Sequence, residues 1–402
     1  MGCTEPIAIA LTAAVAKKHL DGDVKSVEVC VSGNIIKNVK SVIVPNTNGM
    51  KGLKASVAIG VIGGNPEKKL EVIAGVTEEQ KEEARAFLEK IPMSIAHIDS
   101  KEQLDVTVRL HKNEHFASVR IANFHTNIVH IQKDNEVIFK SDTIATPSKE
   151  LTDRSILSME GIYDFANSVD IEDIKEIIGR QLKYNKAISE EGLKNDWGAN
   201  IGRLLLTHYS NNVRIKAKAW AAAGSDARMN GCEMPVIINS GSGNQGITAS
   251  MPVLAYAQEF NIDEERLYRA LVVSNLTAIH QKTLIGRLSA YCGAISAGCA
   301  AGCGVAYLLG EDFETISQTL SNSLAITSGV ICDGAKASCA AKIATAVDSG
   351  LMGYYMCKNK KNFCSGDGIV GDGIEKTIKN VGKLASQGMR ETDKVIIEIM
   401  TE

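Results

Sequence analysis

Residues Leu288 to Gly310 read LSAYCGAISAGCAAGCGVAYLLG, 23 positions without one charge, and the fold turns on what this run is. Its length meets the requirement for a membrane-spanning helix. Its content points elsewhere: Gly, Ala, Ser and Cys dominate, Leu and Ile are few, and neither Trp nor a one-sided basic cluster flanks it. The run is therefore expected as a buried central helix, with small residues that let neighbouring helices come close. Within it Cys292, Cys299 and Cys303, at spacings of seven and four, put three thiols on one helix face. Packing alone accounts for any one of them, because Cys is among the most buried residue types.

Around this run the hydrophobic period is helical. Beyond Pro147 strand signals almost vanish, and helices are expected over Ile156 to Ser168, Ile171 to Ile188, Ile201 to Ala223, Ile247 to Phe260 and Glu264 to Thr277. The N-terminal part differs. After an Ala-rich helix at about Glu5 to His19, Ser26 to Val44 shows β-branched runs broken by Gly33-Asn34, which reads as paired strands. Leu70 to Ala74 is a short apolar strand candidate, Thr77 to Lys90 has a helix start and a charged helical face, and Val106 to Phe139 is again Val- and Ile-rich with a turn at Asp134-Asn135. The expected class is α+β: an all-helical catalytic domain formed by residues 1–21 and 149–402, carrying an inserted α+β domain at residues 22–148. The leading helix is too short to stand alone and is assigned to the helical domain.

Composition narrows the function classes. A chain of 402 residues can bury two cores. Its net charge of -3 and dispersed Lys and Arg give no electrostatic footprint for nucleic acid. Ten cysteines without a secretion signal or a compact framework imply a reducing compartment, so the cytoplasm is expected and no membrane partner is. There is no C-x-x-C and no H-E-x-x-H, which leaves zinc ribbons, thioredoxin chemistry and zincins without support. Widely separated cysteines remain compatible with an iron–sulfur cluster, whose ligands need only converge in space.

Three segments carry the chemistry. In Gly329-Val-Ile-Cys332-Asp-Gly-Ala-Lys336-Ala-Ser-Cys339, a helix would project Cys332, Lys336 and Cys339 from one face, two thiols beside an ammonium that favours their thiolate form. Ser240-Gly-Ser242-Gly-Asn244-Gln-Gly246 precedes a helix and presents backbone N–H groups to a carboxylate or phosphate, or else is a tight turn. It lacks the Lys-Ser/Thr ending of a P-loop. Asn46 and Asn48 in Pro45 to Gly52, and His125 in Asn123 to Asn127, are ligand-contacting loop residues or turn formers.

Taken as a set, Gly2-Cys3-Thr4-Glu5-Pro6, the Ser240 to Gly246 loop, Cys292-Gly293-Ala294 and Cys332-Asp333-Gly334-Ala335-Lys336 resemble the L-cysteine desulfidase family, similar to the iron–sulfur L-serine dehydratase alpha chain. The resemblance runs in order over essentially the whole chain. It implies an oxygen-sensitive [4Fe-4S] cluster held by Cys3, Cys292 and Cys332, with Cys339 as the substitute for Cys3, and one iron left open as a Lewis acid. It also implies a carbon–sulfur lyase that converts L-cysteine to pyruvate, ammonia and hydrogen sulfide. Family members usually carry about a helix of sequence ahead of the Cys3 motif, so a form starting here runs a risk of losing the cluster. Lys336 and His125 are the candidate bases, ahead of Lys282 and His280; Asn46, Asn48, Ser240, Ser242 and Asn244 are assigned to the substrate carboxylate and amine. The alternatives are an L-serine dehydratase on the same cluster, a pyridoxal phosphate lyase with Lys336 as Schiff base, and a non-catalytic thiol or iron–sulfur sensor. A homodimer is compatible with all of these enzyme readings.

Overall fold

The computed structural model describes residues 4–100, 102, 104–141, 152–286 and 289–401, and they form an α+β protein with a large helical portion. The chain divides into two compact units: Met1–Thr152 with Asp333–Lys336 and Lys394–Glu402, and Asp153–Cys332 with Ala337–Asp393.

The first unit holds a six-stranded sheet. Its elements are α1 (Thr4–His19), β1 (Ser26–Ser32), α2 (Gly33–Val39), α3 (Gly52–Gly63), α4 (Glu78–Lys90), β2 (Met93–Ile98), β3 (Asp105–Lys112), β4 (His115–Ala122), β5 (Ile128–Lys133) and β6 (Glu136–Lys140). The strand order is β2-β1-β3-β4-β5-β6, with β1 and β2 parallel and every other pair antiparallel. Alternation sets the face: Val27, Val29 and Val31 are buried, as are Val106, Val108 and Leu110 on β3 and Ala117, Val119 and Ile121 on β4. Thr77 and Gln80 close a capping box that starts α4 where the sequence placed it.

Three expectations change here. The Gly33-Asn34 break is no hairpin, because β1 is flanked by β2 and β3 and the chain leaves it into α2, burying Ile35, Ile36 and Val39 at helical spacing. Leu70 to Ala74 is not a strand. A 3-10 turn over Pro66–Glu71, capped by the Asn65 side chain, leads into buried Val72 and Ile73. Finally, α1 belongs to this unit and not to the helical one: Pro6 to Ala16 are buried all round, which requires neighbours on every side, and α3 together with β3 and β4 supplies them.

The second unit is helical: α5 (Met159–Ser168), α6 (Ile171–Lys194), α7 (Ile201–His208), α8 (Val213–Met229), α9 (Gly243–Glu259), α10 (Glu264–Ile285), α11 (Gly293–Leu308), α12 (Phe313–Thr327), α13 (Cys339–Lys358) and α14 (Ile374–Lys383), with α15 (Arg390–Thr401) crossing the division. The expected Ile201 to Ala223 helix is two helices, because Ser210, Asn211 and Asn212 interrupt it and the Asn212 side chain caps α8 through the Ile215 N–H. The uncharged run is the centre of this unit. Every residue of α11 from Ala294 to Leu308 is buried, and among the described residues no helix is long and apolar enough to cross a membrane.

Glycines decide how the central helices run. A Cβ on Gly298 would stand 2.6 Å from the Ala346 Cβ, and one on Gly302 would collide with the Gly350 carbonyl. Both partners advance together along the chain, so α11 and α13 lie backbone to backbone and parallel. Likewise Gly293 lies against Gln245 and Gly304 against Val253, so α9 points the same way. Three helices thus begin at one end of the unit.

Candidate active site

At that end the chain assembles three thiols. Tyr291 and Ile331 form an isolated antiparallel bridge, fixed by Cys332 N–H to Ala290 O (2.6 Å) and Cys292 N–H to Val330 O (3.2 Å). In such a ladder the residues flanking the bridge share one face, opposite Tyr291 and Ile331. Cys292 and Cys332 are therefore diagonal neighbours, and their thiols are hydrogen-bonded. Cys292 is also the residue at which α11 starts, and Cys339 is the first residue of α13. Because these helices run parallel, their starts bring Cys339 close enough for its charge to act on Cys292.

Two effects oppose each other at Cys292. Its hydrogen bond with Cys332 and its burial, in that order, push its pKa well above the ordinary thiol value, while the Ala294 N–H pulls it down. A cationic group among the three sulfurs would reverse the first effect, since thiolates are soft ligands and the positive ends of α11 and α13 favour negative charge. Cys299 and Cys303 lie deeper in the same helix. Burial pushes the Cys299 pKa up to about 12 and that of Cys303 up as well, and their sulfurs contact Thr327 Oγ1 (3.6 Å) and the Ile316 carbonyl (3.7 Å). These two thiols pack the core.

Residues 67–398 match the profile of the serine dehydratase alpha chain. The chain belongs to that family. A UPF0597 protein of Desulfitobacterium hafniense is 54% identical over 400 residues, covering 100% of this chain and 93% of its own length. UPF0597 proteins of Lachnoclostridium phytofermentans and Finegoldia magna are 50% and 48% identical, each over 100% of this chain and 96% of their own. Family membership gives chemistry of the dehydratase type, a lyase reaction of amino-acid catabolism.

The other expected site residues of this serine dehydratase relative are distributed over both units. The Gly329 to Cys339 stretch is not one helix: Cys332 sits in the bridge segment, and α13 begins only at Cys339. Gly334 explains the break, with φ +97 and a Cα so close to the Lys37 carbonyl that a Cβ would collide with it. Lys336 and Cys332 consequently do not share a helix face. The Lys336 ammonium is ion-paired with Asp333 Oδ1 (2.5 Å) and donates to the Asp333 carbonyl (2.9 Å). His125, in the first unit, stands 4.0 Å from Glu5 Oε1. Cys3 lies outside the described residues.

Asn46 and Asn48 serve a turn. Both have positive φ, Asn46 Nδ2 donates to the Ile73 carbonyl (2.8 Å) and Asn48 Nδ2 to Glu78 Oε2 (2.7 Å). Ser240 and Gly241, at φ +49 and +83, are the two central residues of a tight turn closed by Asn239 and Ser242. Ser240 Oγ is spent on Asn239 Oδ1 (2.9 Å), and Ser242 precedes α9 without a side-chain cap bond. Asn244 differs: its Oδ1 accepts from Arg228 Nη1 at 3.1 Å. Arg228, at the end of α8, and Gln245, beside Asn244, are buried at this same end and were not singled out by motif. His280 Nε2 meets Glu375 Oε2 at 2.9 Å, and the other oxygen of Glu375 takes the Met159 N–H at 2.7 Å.

Among the described residues no three His, Cys, Asp or Glu side chains are disposed to hold a single metal ion. A cluster asks for something else, because its thiolates bind different irons and stand farther apart than ligands of one ion. The donor set fits in its chemistry: Cys292, Cys332 and Cys339 are soft thiol ligands, with Cys292 and Cys332 in hydrogen-bond contact and so closer together than that spacing.

Proposed function

We propose that this protein is an iron–sulfur-dependent L-cysteine desulfidase, eliminating sulfide from L-cysteine to give pyruvate, ammonia and hydrogen sulfide. The observation that carries the reading is the convergence of Cys292, Cys332 and Cys339 at the starts of parallel helices α11 and α13. Cys292 and Cys332 would hold a [4Fe-4S] cluster, with Cys339 as the third ligand within this unit and Cys3 as the competing one. When bound, the cluster supplies an open iron that serves as Lewis acid toward the departing sulfur.

The chain's own residues supply the rest. The N–H groups at the start of α9, with Asn244, are offered to the substrate carboxylate. Lys336 and His125 are the proposed carriers of the α-proton, an amine and an imidazole. Loss of that proton and of sulfide forms the Cα–Cβ double bond of aminoacrylate. Its imine tautomer then takes up water and releases ammonia. L-Serine is the second reading, supported by the family's dehydratase chemistry, with water leaving in place of sulfide.

The experiment is pyruvate release from L-cysteine and from L-serine, by protein whose cluster has been rebuilt without oxygen. Faster turnover of L-cysteine supports the desulfidase, and the reverse ratio moves the activity to L-serine. Turnover of neither at full iron loading rejects both and favours a sensor.

A further inference from the structure

One carboxamide at the thiol end of the helical unit has no structural employment. Gln245 is 7% exposed, in the first turn of α9, and its Oε1 has no hydrogen-bond partner among the described residues. Leaving a buried carbonyl oxygen unmet costs about 1–3 kcal/mol, so such a group calls for an explanation. It also lies close to α11. A Cβ on Gly293 would stand 2.7 Å from Gln245 Nε2 and 2.8 Å from its Cδ, so the carboxamide lies flat against the first residue of α11, next to Cys292. A larger residue at 293 would push the carboxamide aside.

The neighbours have the opposite chemistry. Arg228 is 6% exposed and reaches the same turn of α9 through its 3.1 Å contact with Asn244 Oδ1, while its guanidinium lies against Gly243. A guanidinium beside the positive end of a helix makes a favourable place for a carboxylate. An acceptor therefore lies beside Gly293, the neighbour of Cys292, and donors and positive charge lie a residue or two away along α9. A zwitterionic α-amino acid presents the complement: an ammonium for the acceptor and a carboxylate for the donors.

We propose that Gln245, Arg228 and Asn244 form the head-group site of a small α-amino acid, with Gln245 Oε1 accepting from the ammonium and Arg228 with Asn244 receiving the carboxylate. This rests on the reading of the adjoining thiols as the seat of a lyase reaction. Gln245 is then a positioning residue, directing the β-substituent toward Cys292.

The test is calorimetric binding of three probes without a leaving group: L-alanine, propionate and ethylamine. Wild-type protein should bind L-alanine at least tenfold more tightly than either single-charge probe. Gln245→Leu should lose about tenfold for L-alanine and ethylamine and leave propionate unchanged. Gly293→Ala, which displaces the carboxamide by a methyl group, should show the same selectivity and serves if Gln245→Leu does not fold. Arg228→Met should weaken propionate and L-alanine and spare ethylamine. Equal weakening of all three probes by Gln245→Leu or Gly293→Ala would mean a packing role and overturn the proposal, as would unchanged L-alanine binding. Iron content after anaerobic rebuilding separates the two readings. A protein that takes up no iron yet binds L-alanine selectively defeats the cluster and keeps the head-group site; full iron with unselective binding does the reverse.

Discussion

Cys292 and Cys332 share a thiol–thiol hydrogen bond across a two-segment ladder, although the whole of α11 and α12 separates them in the chain. Cys299 and Cys303, by contrast, have their sulfurs turned into the helix packing. Cys292→Ala and Cys332→Ala should each lose reconstituted iron and sulfide release together. Cys299→Ala and Cys303→Ala should keep both at a stability cost of about 1 kcal/mol. Iron analysis of Cys339→Ala decides the third ligand, with full iron in that variant assigning the role to Cys3.

Gly302→Ala sets two effects against each other. An alanine inside a helix gains about 1 kcal/mol in propensity over glycine, but here its Cβ would collide with the Gly350 carbonyl of α13. Overpacking of that kind costs about 1–3 kcal/mol, and since the obstacle is backbone, the upper part applies. Urea unfolding should show a net loss of about 1–2 kcal/mol after the propensity gain. A neutral or stabilised variant would refute the close parallel packing.

Asp226 gives the helical unit a pH dependence. Its Oδ2 takes the Gly202 N–H at 3.0 Å, its Oδ1 has no partner among the described residues, and burial pushes its pKa up to about 7. Between the ordinary carboxyl value of 3.8 and about 7 the native protein holds a proton that the unfolded chain has released. Stability from this group is thus present at low pH and falls as pH rises through that window. Asp226→Asn should melt higher than wild type at pH values above about 7 and match it near pH 4, by differential scanning calorimetry. A gap independent of pH would sink the assignment.

In the first unit Arg120 holds Asp105 with two bonds, Nε to Oδ1 at 2.9 Å and Nη2 to Oδ2 at 2.7 Å. The Asp105 side chain is 0% exposed and that of Arg120 39%. Arg120→Met strands a buried carboxylate that, among the described residues, keeps the Ser100 hydroxyl, and should cost about 3 kcal/mol, the lower end for broken buried pairs because Arg120 is partly solvated. Asp105→Asn in the same background should recover much of that loss in guanidinium unfolding.

Local signals carried the elements that local physics governs. The Thr77 capping box fixed the start of α4, and the charge-free stretch was legible as a buried central helix because only small residues occupy it. What local reading missed depends on distant partners. Gly33 to Val39 has the β-branched content of a strand, but β2 and β3, both far along the chain, take the edges of β1 and leave α2 to turn away. The Cys332 stretch has helical spacing, and the Lys37 carbonyl under Gly334 forbids the helix.

The candidate site shows the same division. The family resemblance named Cys3, Cys292 and Cys332, with Cys339 as the substitute for Cys3, whereas the ladder that pairs Cys292 with Cys332 cannot be read from either segment alone. Asn46, Asn48 and Ser240 have the composition of ligand loops, and their side chains are bonded to Ile73, Glu78 and Asn239. Gln245 lay inside the quoted glycine-rich loop, but its lack of a partner is a property of the packed state only.

The small-residue seam of α11 and α13 has an entropic side. Gly298, Gly302, Ala346 and Gly350 have no side-chain rotamers to freeze, so the two helices that carry Cys292 and Cys339 meet through backbone whose ordering cost was met in forming the helices themselves. A seam of leucines would hold its helices through side chains able to hop between wells and widen the gap. Here the spacing between the helix starts is set by van der Waals radii. A chain with only 5% aromatic residues has, in this seam, exchanged bulk for dimensional accuracy.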